Sequence, residues 1–160
     1  MKRSLSILIS TLILLLSLVQ PTIAAGETAQ AGQVSVSYGS LNVRSASSSS
    51  SSILTSLTKG SYVTLISKSG SWWRVEYAAG KFGYCHADYI KTLSSTAATL
   101  QVSGSLNVRT GPGTSYAKSG SLSPGSRVLV LSTSGGWSRI LYSGTKTGYV
   151  SAQYILTGAP

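Results

Sequence analysis

A tryptophan and an arginine two residues apart, Trp72 and Arg74, recur as Trp137 and Arg139. An indole offers a flat plate on which a sugar ring can stack, and a guanidinium pairs with carboxylates or phosphates through its rigid fork of donors. Side chains at spacing two share one face of a β-strand. The opposite face carries Val75 in the first copy and Ile140 in the second, so Trp72/Arg74 and Trp137/Arg139 are expected to point away from the core. Trp73 falls on the inner face, and its counterpart Ser138 marks it as a local packing choice. Two more repeated pairs join this set: Arg44 with Arg109, and Tyr84 with Tyr149. These eight residues are the candidate ligand-binding set. Each also has a structural reading. An indole can cap the end of a small core with an arginine stem packed over it, and Arg44 and Arg109 can bond loop carbonyls. Asn42 and Asn107 are expected to hydrogen-bond the loop that follows them.

Catalytic constellations are missing. Cys85 and His86 are adjacent, the sharpest enzymatic suggestion in the chain. On a strand, neighbours point to opposite faces and are poorly placed as nucleophile and base. In the second copy Cys85 becomes Val150, which identifies it as a small buried hydrophobe. Glu76 and Asp88 have no acidic counterparts, since Leu141 and Gln153 stand there, and nothing suggests a carboxylate pair of the glycosidase kind. One His and one Cys cannot build an ordinary zinc site. No glycine-rich phosphate loop precedes a helix. The expectation is a non-enzymatic protein with no cofactor and no metal.

The elements that must position the candidates repeat as a unit. Leu41-Asn42-Val43-Arg44 returns as Leu106-Asn107-Val108-Arg109, and a shift of 65 positions holds without a gap to Ile90 and Ile155. A period this long is a domain, because solenoid repeats run about 20–50 residues. Gly, Ser and Thr are abundant, helical periodicity is absent and short apolar stretches are closely spaced. That pattern predicts small all-β units. Strands are expected over Val34–Ser37, Leu41–Arg44, Ile53–Leu57, Tyr62–Ser67, Trp72–Ala78 and Lys81–His86, with a short piece at Tyr89–Lys91. Pro112-Gly113 and Pro124-Gly125 fit type II turns. The stretch 93–98 and the residues up to Gly32 are expected to be linkers. One segment breaks the symmetry: a serine-rich loop, Ser45–Ser52, stands where the second copy has Thr110-Gly111-Pro112-Gly113. It is expected to be the more mobile, which makes the second copy the one to bind if only one does.

Ahead of the repeats, Lys2 and Arg3 precede an apolar run from Leu5 to Val19, then Pro21 and small residues. This describes a secretory signal peptide over residues 1–25, with a cut after Ala24, Ala25 or Ala31. The run is shorter than the ~20 residues of a membrane span, so no stable span is expected. The full sequence carries a net charge of +10. Of its 13 Lys and Arg residues, two lie in the leader, leaving 11 against three acids, about +8. Such a balance favours polyanionic partners. Export argues against nucleic acid and towards bacterial wall polymers. The single cysteine excludes an internal disulfide.

The ordered set Leu-Asn-Val-Arg-Thr-Gly-Pro-Gly, Leu-x-x-Gly-x-x-Val, Gly-Trp, Gly-Tyr-Val and a closing Tyr-Ile resembles the bacterial SH3 domain. The resemblance covers residues 34–92 and 99–157. It implies two tandem SH3-like β-barrels of about 60 residues each, near the lower size for independent folding. It also implies a role in targeting exported proteins to the cell wall, often beside a hydrolase domain. The acidic loop that a eukaryotic SH3 domain uses to meet basic proline-rich peptides has no equivalent here. The resulting expectation is a secreted wall-associated protein that binds peptidoglycan or an anionic wall polymer, the two copies adding avidity if both engage. The alternative is an interaction module that targets or regulates an exported hydrolase.

Overall fold

The computed structural model describes residues 29–157. The expected signal peptide lies outside them. Among these residues all regular structure is β apart from two short 3₁₀ turns, Ala87–Tyr89 and Ala152–Tyr154. Among the described residues no helix is long and apolar enough to cross a membrane.

The first unit contains β1 (Gln30–Val34), β2 (Ser40–Arg44), β3 (Ile53–Thr58), β4 (Tyr62–Ser69), β5 (Trp72–Ala78), β6 (Lys81–His86) and β7 (Ile90–Leu93). The second contains β8 (Thr96–Leu100), β9 (Leu106–Arg109), β10 (Lys118–Leu122), β11 (Arg127–Ser134), β12 (Trp137–Tyr142), β13 (Lys146–Ser151) and β14 (Ile155–Thr157). Each set forms one seven-stranded antiparallel sheet in the same order: β3-β2-β6-β5-β4-β1-β7, and β10-β9-β13-β12-β11-β8-β14.

Both sheets curl around their own cores. Val34, Leu41, Val43, Leu57, Val63, Leu65, Val75, Cys85 and Ile90 come from all seven strands of the first sheet and form one cluster. A sheet whose strands all feed one core from one face must curl around it, which makes each unit a small, partly open barrel with β3 and β7, or β10 and β14, at its edges. Register shifts between Leu65 and Ser67, and between Val130 and Ser132, fall at the same place in both copies. Such bulges bend the strand where the sheet turns its corner. The period-two alternation holds on β2 and β5. Leu41 and Val43 are buried while Asn42 and Arg44 are half-buried, and Trp73 and Tyr77 pack against the core.

Three expectations change. Strand β1 begins at Gln30, so the stretch read as a leading linker is paired to β4 and β7. Ala31 is fully buried there, and a cut after Ala31 would remove it from the sheet. The expected linker is almost wholly strand: β7 and β8 leave only Ser94 and Ser95 between the sheets, and Ser95 Oγ accepts a bond from the Ala31 amide at 2.9 Å. Of the two expected type II turns, Pro124-Gly125 is consistent with the geometry, with Gly125 at φ 73° and Ser126 N–H donating to Ser123 O. Gly113 does not adopt positive φ.

Burial on two faces is the feature that alternation does not explain. Val63, Thr64, Leu65 and Ile66 are buried in succession on β4, as are Ile140, Leu141 and Tyr142 on β12. A third apolar cluster covers the outer faces of these strands. Ala31, Leu129 and Leu141 form its centre, flanked by Tyr62, Leu93 and Leu131. The two barrels are therefore packed against each other.

Candidate ligand-binding site

The outer face of β2, β6 and β5 assembles the first copy's candidates. Arg44 pairs in register with Tyr84, and Tyr84 with Arg74. The next row pairs Trp72 with His86. In the second copy Arg109, Tyr149 and Arg139 form the same row, and Trp137 stands opposite Ser151. All eight candidates thus lie in cross-strand rows, four to a barrel.

Their environments differ. Arg74 turns its guanidinium onto the Phe82 ring, 4.5 Å from the centroid. Arg139 donates through Nη2 to the Tyr62 hydroxyl at 3.2 Å and lies 5.2 Å from that ring's centroid, so it works between the barrels. Arg44 and Arg109 bond loop carbonyls, Arg44 Nη1 to Ser51 O at 2.7 Å and Arg109 Nη1 to Tyr116 O at 2.8 Å.

Trp72 and Arg44 border a groove of about 540 Å³ in the first barrel. Its other walls are Val36, Ser37, Tyr38, Ser40, Leu41, Asn42, Ser49, His86 and Tyr89. Asn42, expected to bond its loop, lines this groove. Trp72 meets His86 edge-on at 5.2 Å, and His86 meets Tyr89 at 5.7 Å. Tyr38 and Tyr89 are 89 % and 49 % exposed, so their rings are open to a partner. None of the lining residues is acidic. Asp88 stands beside the groove, 3.6 Å from His86 Nδ1. The arrangement offers aromatic plates for stacking, hydroxyls and an amide for hydrogen bonding, and a guanidinium for an anion.

Sequence reasoning missed Tyr38, His86 and Tyr89 as walls. His86 shares a strand face with Tyr84, a signal that was available. Tyr38 precedes β2 and Tyr89 ends a 3₁₀ turn, and neither position has a periodicity to place its side chain.

The serine-rich loop is closed by bonds from its own hydroxyls. Ser51 Oγ donates to Ala46 O at 3.0 Å and lies 2.8 Å from Ser48 O, while Ser45 N–H donates to Ser52 O at 2.9 Å. Hydroxyls close on backbone groups where the second copy uses proline and glycine, as Ser does in turns.

The enzymatic candidates separate. Cys85 is fully buried in the core, while His86 faces the groove. Burial pushes the Cys85 thiol up from 9.0 to about 12. The folded thiol therefore stays neutral where an unfolded one ionises, so its contribution to stability is whole below pH 9 and is lost as pH rises towards 12. Alkylation of Cys85 is expected to be at least about a hundredfold slower in the folded protein than in denaturant, as read by a thiol-reactive dye at pH 8. Comparable rates in both states would contradict the buried placement. Glu76 accepts the Gly80 amide at 2.8 Å and closes a hairpin. Among the described residues no group of three or more His, Cys, Asp or Glu could hold a metal. No catalytic domain is evident among the described residues.

The family model described as the bacterial SH3 domain matches residues 39–91 and 104–155. A Bacillus subtilis (strain 168) protein, YrvJ, named as an N-acetylmuramoyl-L-alanine amidase, is 30% identical over 146 residues. That match covers 86% of this chain and 28% of the relative, so the chain spans less than a third of the relative's length. Among solved structures, NlpC2 from Trichomonas vaginalis is 16% identical, covers 81% of this chain and 48% of its own, and has a TM-score of 0.38. An NlpC/P60 family protein from Bacillus cereus ATCC 10987 is 14% identical, with 80% and 56% covered and a TM-score of 0.32.

Proposed function

The chain belongs to the bacterial SH3 domain family, with two tandem copies, and on that premise we propose that it is an exported, non-enzymatic protein that binds peptidoglycan or an anionic polymer of the cell wall. One observation carries the reading: a groove whose walls combine Tyr38, Trp72, His86 and Tyr89 with Arg44 and contain no carboxylate. Rings stack on glycan faces, and a guanidinium in an acid-free groove suits the carboxylates of muramyl peptides or the phosphates of wall polymers. The mature chain's net charge of about +8 would draw such polymers to the surface before the groove engages. The relative's name, that of an N-acetylmuramoyl-L-alanine amidase, supports the same setting.

The test is co-sedimentation of the mature protein with purified wall sacculi, with and without teichoic acid, across a salt series. Retention at low salt is expected. An electrostatic contribution fades as salt shortens the screening length, whereas stacking persists. Protein left in the supernatant at low salt overturns the reading.

A second reading, docking to an exported hydrolase, draws on Ile53 and Leu54. They are 55 % and 46 % exposed on the edge strand β3, where the second copy has Lys118 and Ser119. Apolar residues on an open edge are a place for a protein partner. Crosslinking that recovers a protein in preference to glycan would favour it.

A further inference from the structure

The apolar centre of the seam between the barrels is built from residues that only one copy carries. Leu129 and Leu141 lie on the outer faces of β11 and β12 and are 4 % and 1 % exposed. Their counterparts in the first copy are Thr64 and Glu76, so the apolar pair was not shared by the repeat. Thr64 in turn faces the seam from the other side: its N–H and its Oγ1–H both donate to Gly144 O, at 2.8 Å and 3.0 Å. Thr145 Oγ1 donates to Tyr77 O at 3.5 Å. Gly144 has φ 84°, and a Cβ there would stand 2.7 Å from Ala78 N and 2.8 Å from Glu76 O. The backbones meet too closely for any other residue. In the first copy the same position is Ala79.

The second copy also lacks two of the groove's aromatic walls. Tyr38 and His86 correspond to Ser103 and Ser151. Its Arg139 is engaged by Tyr62 of the first barrel.

We infer that the duplication has divided its labour: the first barrel carries the single groove for an acidic glycopeptide of the wall, and the second is a brace docked rigidly against it. The ligand class rests on the function proposed above; the docking does not. Two sites on independent barrels would gain avidity from a flexible linker. One site on a braced body gives up that avidity and presents its groove on a single rigid scaffold.

Two measurements on the mature chain test this. Amide ¹⁵N relaxation is expected to give both barrels one common tumbling time. Leu141→Glu, which restores the first copy's residue at the seam and touches neither barrel core, is expected to release them into two faster-tumbling bodies. Gly144→Val should do the same by collision. Distinct tumbling times in the unmodified protein overturn the brace. In the second measurement a purified soluble muropeptide is titrated while the indole N–H signals of the three tryptophans are followed. One equivalent per chain is expected, with the Trp72 signal shifting and the Trp137 signal still. Two equivalents, or matched shifts at both, overturn the division of labour. If no tryptophan responds, the assignment of a muropeptide groove fails, while the relaxation result still decides the docking.

Discussion

Trp72→Ala is expected to lower retention on wall sacculi by at least about tenfold. The indole forms one wall of the groove and holds His86 edge-on at 5.2 Å, with His86 in turn against Tyr89 at 5.7 Å. Truncation therefore removes one plate and frees the two rings beyond it. Tryptophans at the centre of binding surfaces cost about 2 kcal/mol or more on truncation, and about 1.4 kcal/mol is tenfold in affinity. Stability should change little, because Trp72 is half-buried on the outer face and belongs to no core cluster. Sedimentation of wild type and variant at several salt concentrations, with a melting curve for each, checks both halves. The deficit should persist at high salt, where contacts through Arg44 are screened. Unchanged retention with an unchanged melt would remove the groove from the binding account.

Gly83→Ala should produce the largest loss of stability. This glycine needs no unusual torsion; it needs space. A Cβ there would lie 2.5 Å from Val43 Cγ1 and 3.0 Å from Arg44 O. Val43 is fully buried, and the carbonyl belongs to the neighbouring strand, so neither can yield without parting β6 from β2. Overpacking a tight core typically costs about 1–3 kcal/mol, and the backbone contact puts this site at the upper end. At about 4–8 °C per kcal/mol for a domain of this size, the melting temperature is expected to fall by about 10 °C or more. Gly104→Ala is the control: a Cβ there would meet nothing within 4 Å and its φ is not positive, so it should melt close to wild type. Equal melting of the two variants would mean that β6 and β2 separate freely. Gly148 is crowded in the same way by Val108 and Arg109, which explains why glycine precedes tyrosine in both copies.

Much of each barrel was legible because its determinants are local. Alternation put Leu41, Val43 and Val75 inside and Trp72 and Arg74 outside. Comparing the copies placed Cys85 in the core through Val150, and both are fully buried. The bonds of Arg44 and Arg109 to loop carbonyls followed from turn chemistry seven residues away. Composition did not show how hydroxyls replace turn residues, since the bonds of Ser51 to the backbone form only once the loop is folded.

By itself, then, the sequence determined the duplication, the β class, the barrel cores and the identity of the outward-facing side chains. A period of two specifies which face a residue takes, and that is a property of the strand alone. It does not specify what covers that face. Leu141 and Glu76 occupy equivalent outward positions, yet Leu141 is sealed under the other barrel. Arg139 and Arg74 are likewise equivalent, yet one reaches Tyr62, 77 residues away in sequence, and the other stacks on Phe82. Tyr38 and Tyr89 enter the groove from segments with no period at all. Only the tertiary structure decided these, because each depends on surfaces brought together by closure of the barrels and by the docking of one against the other.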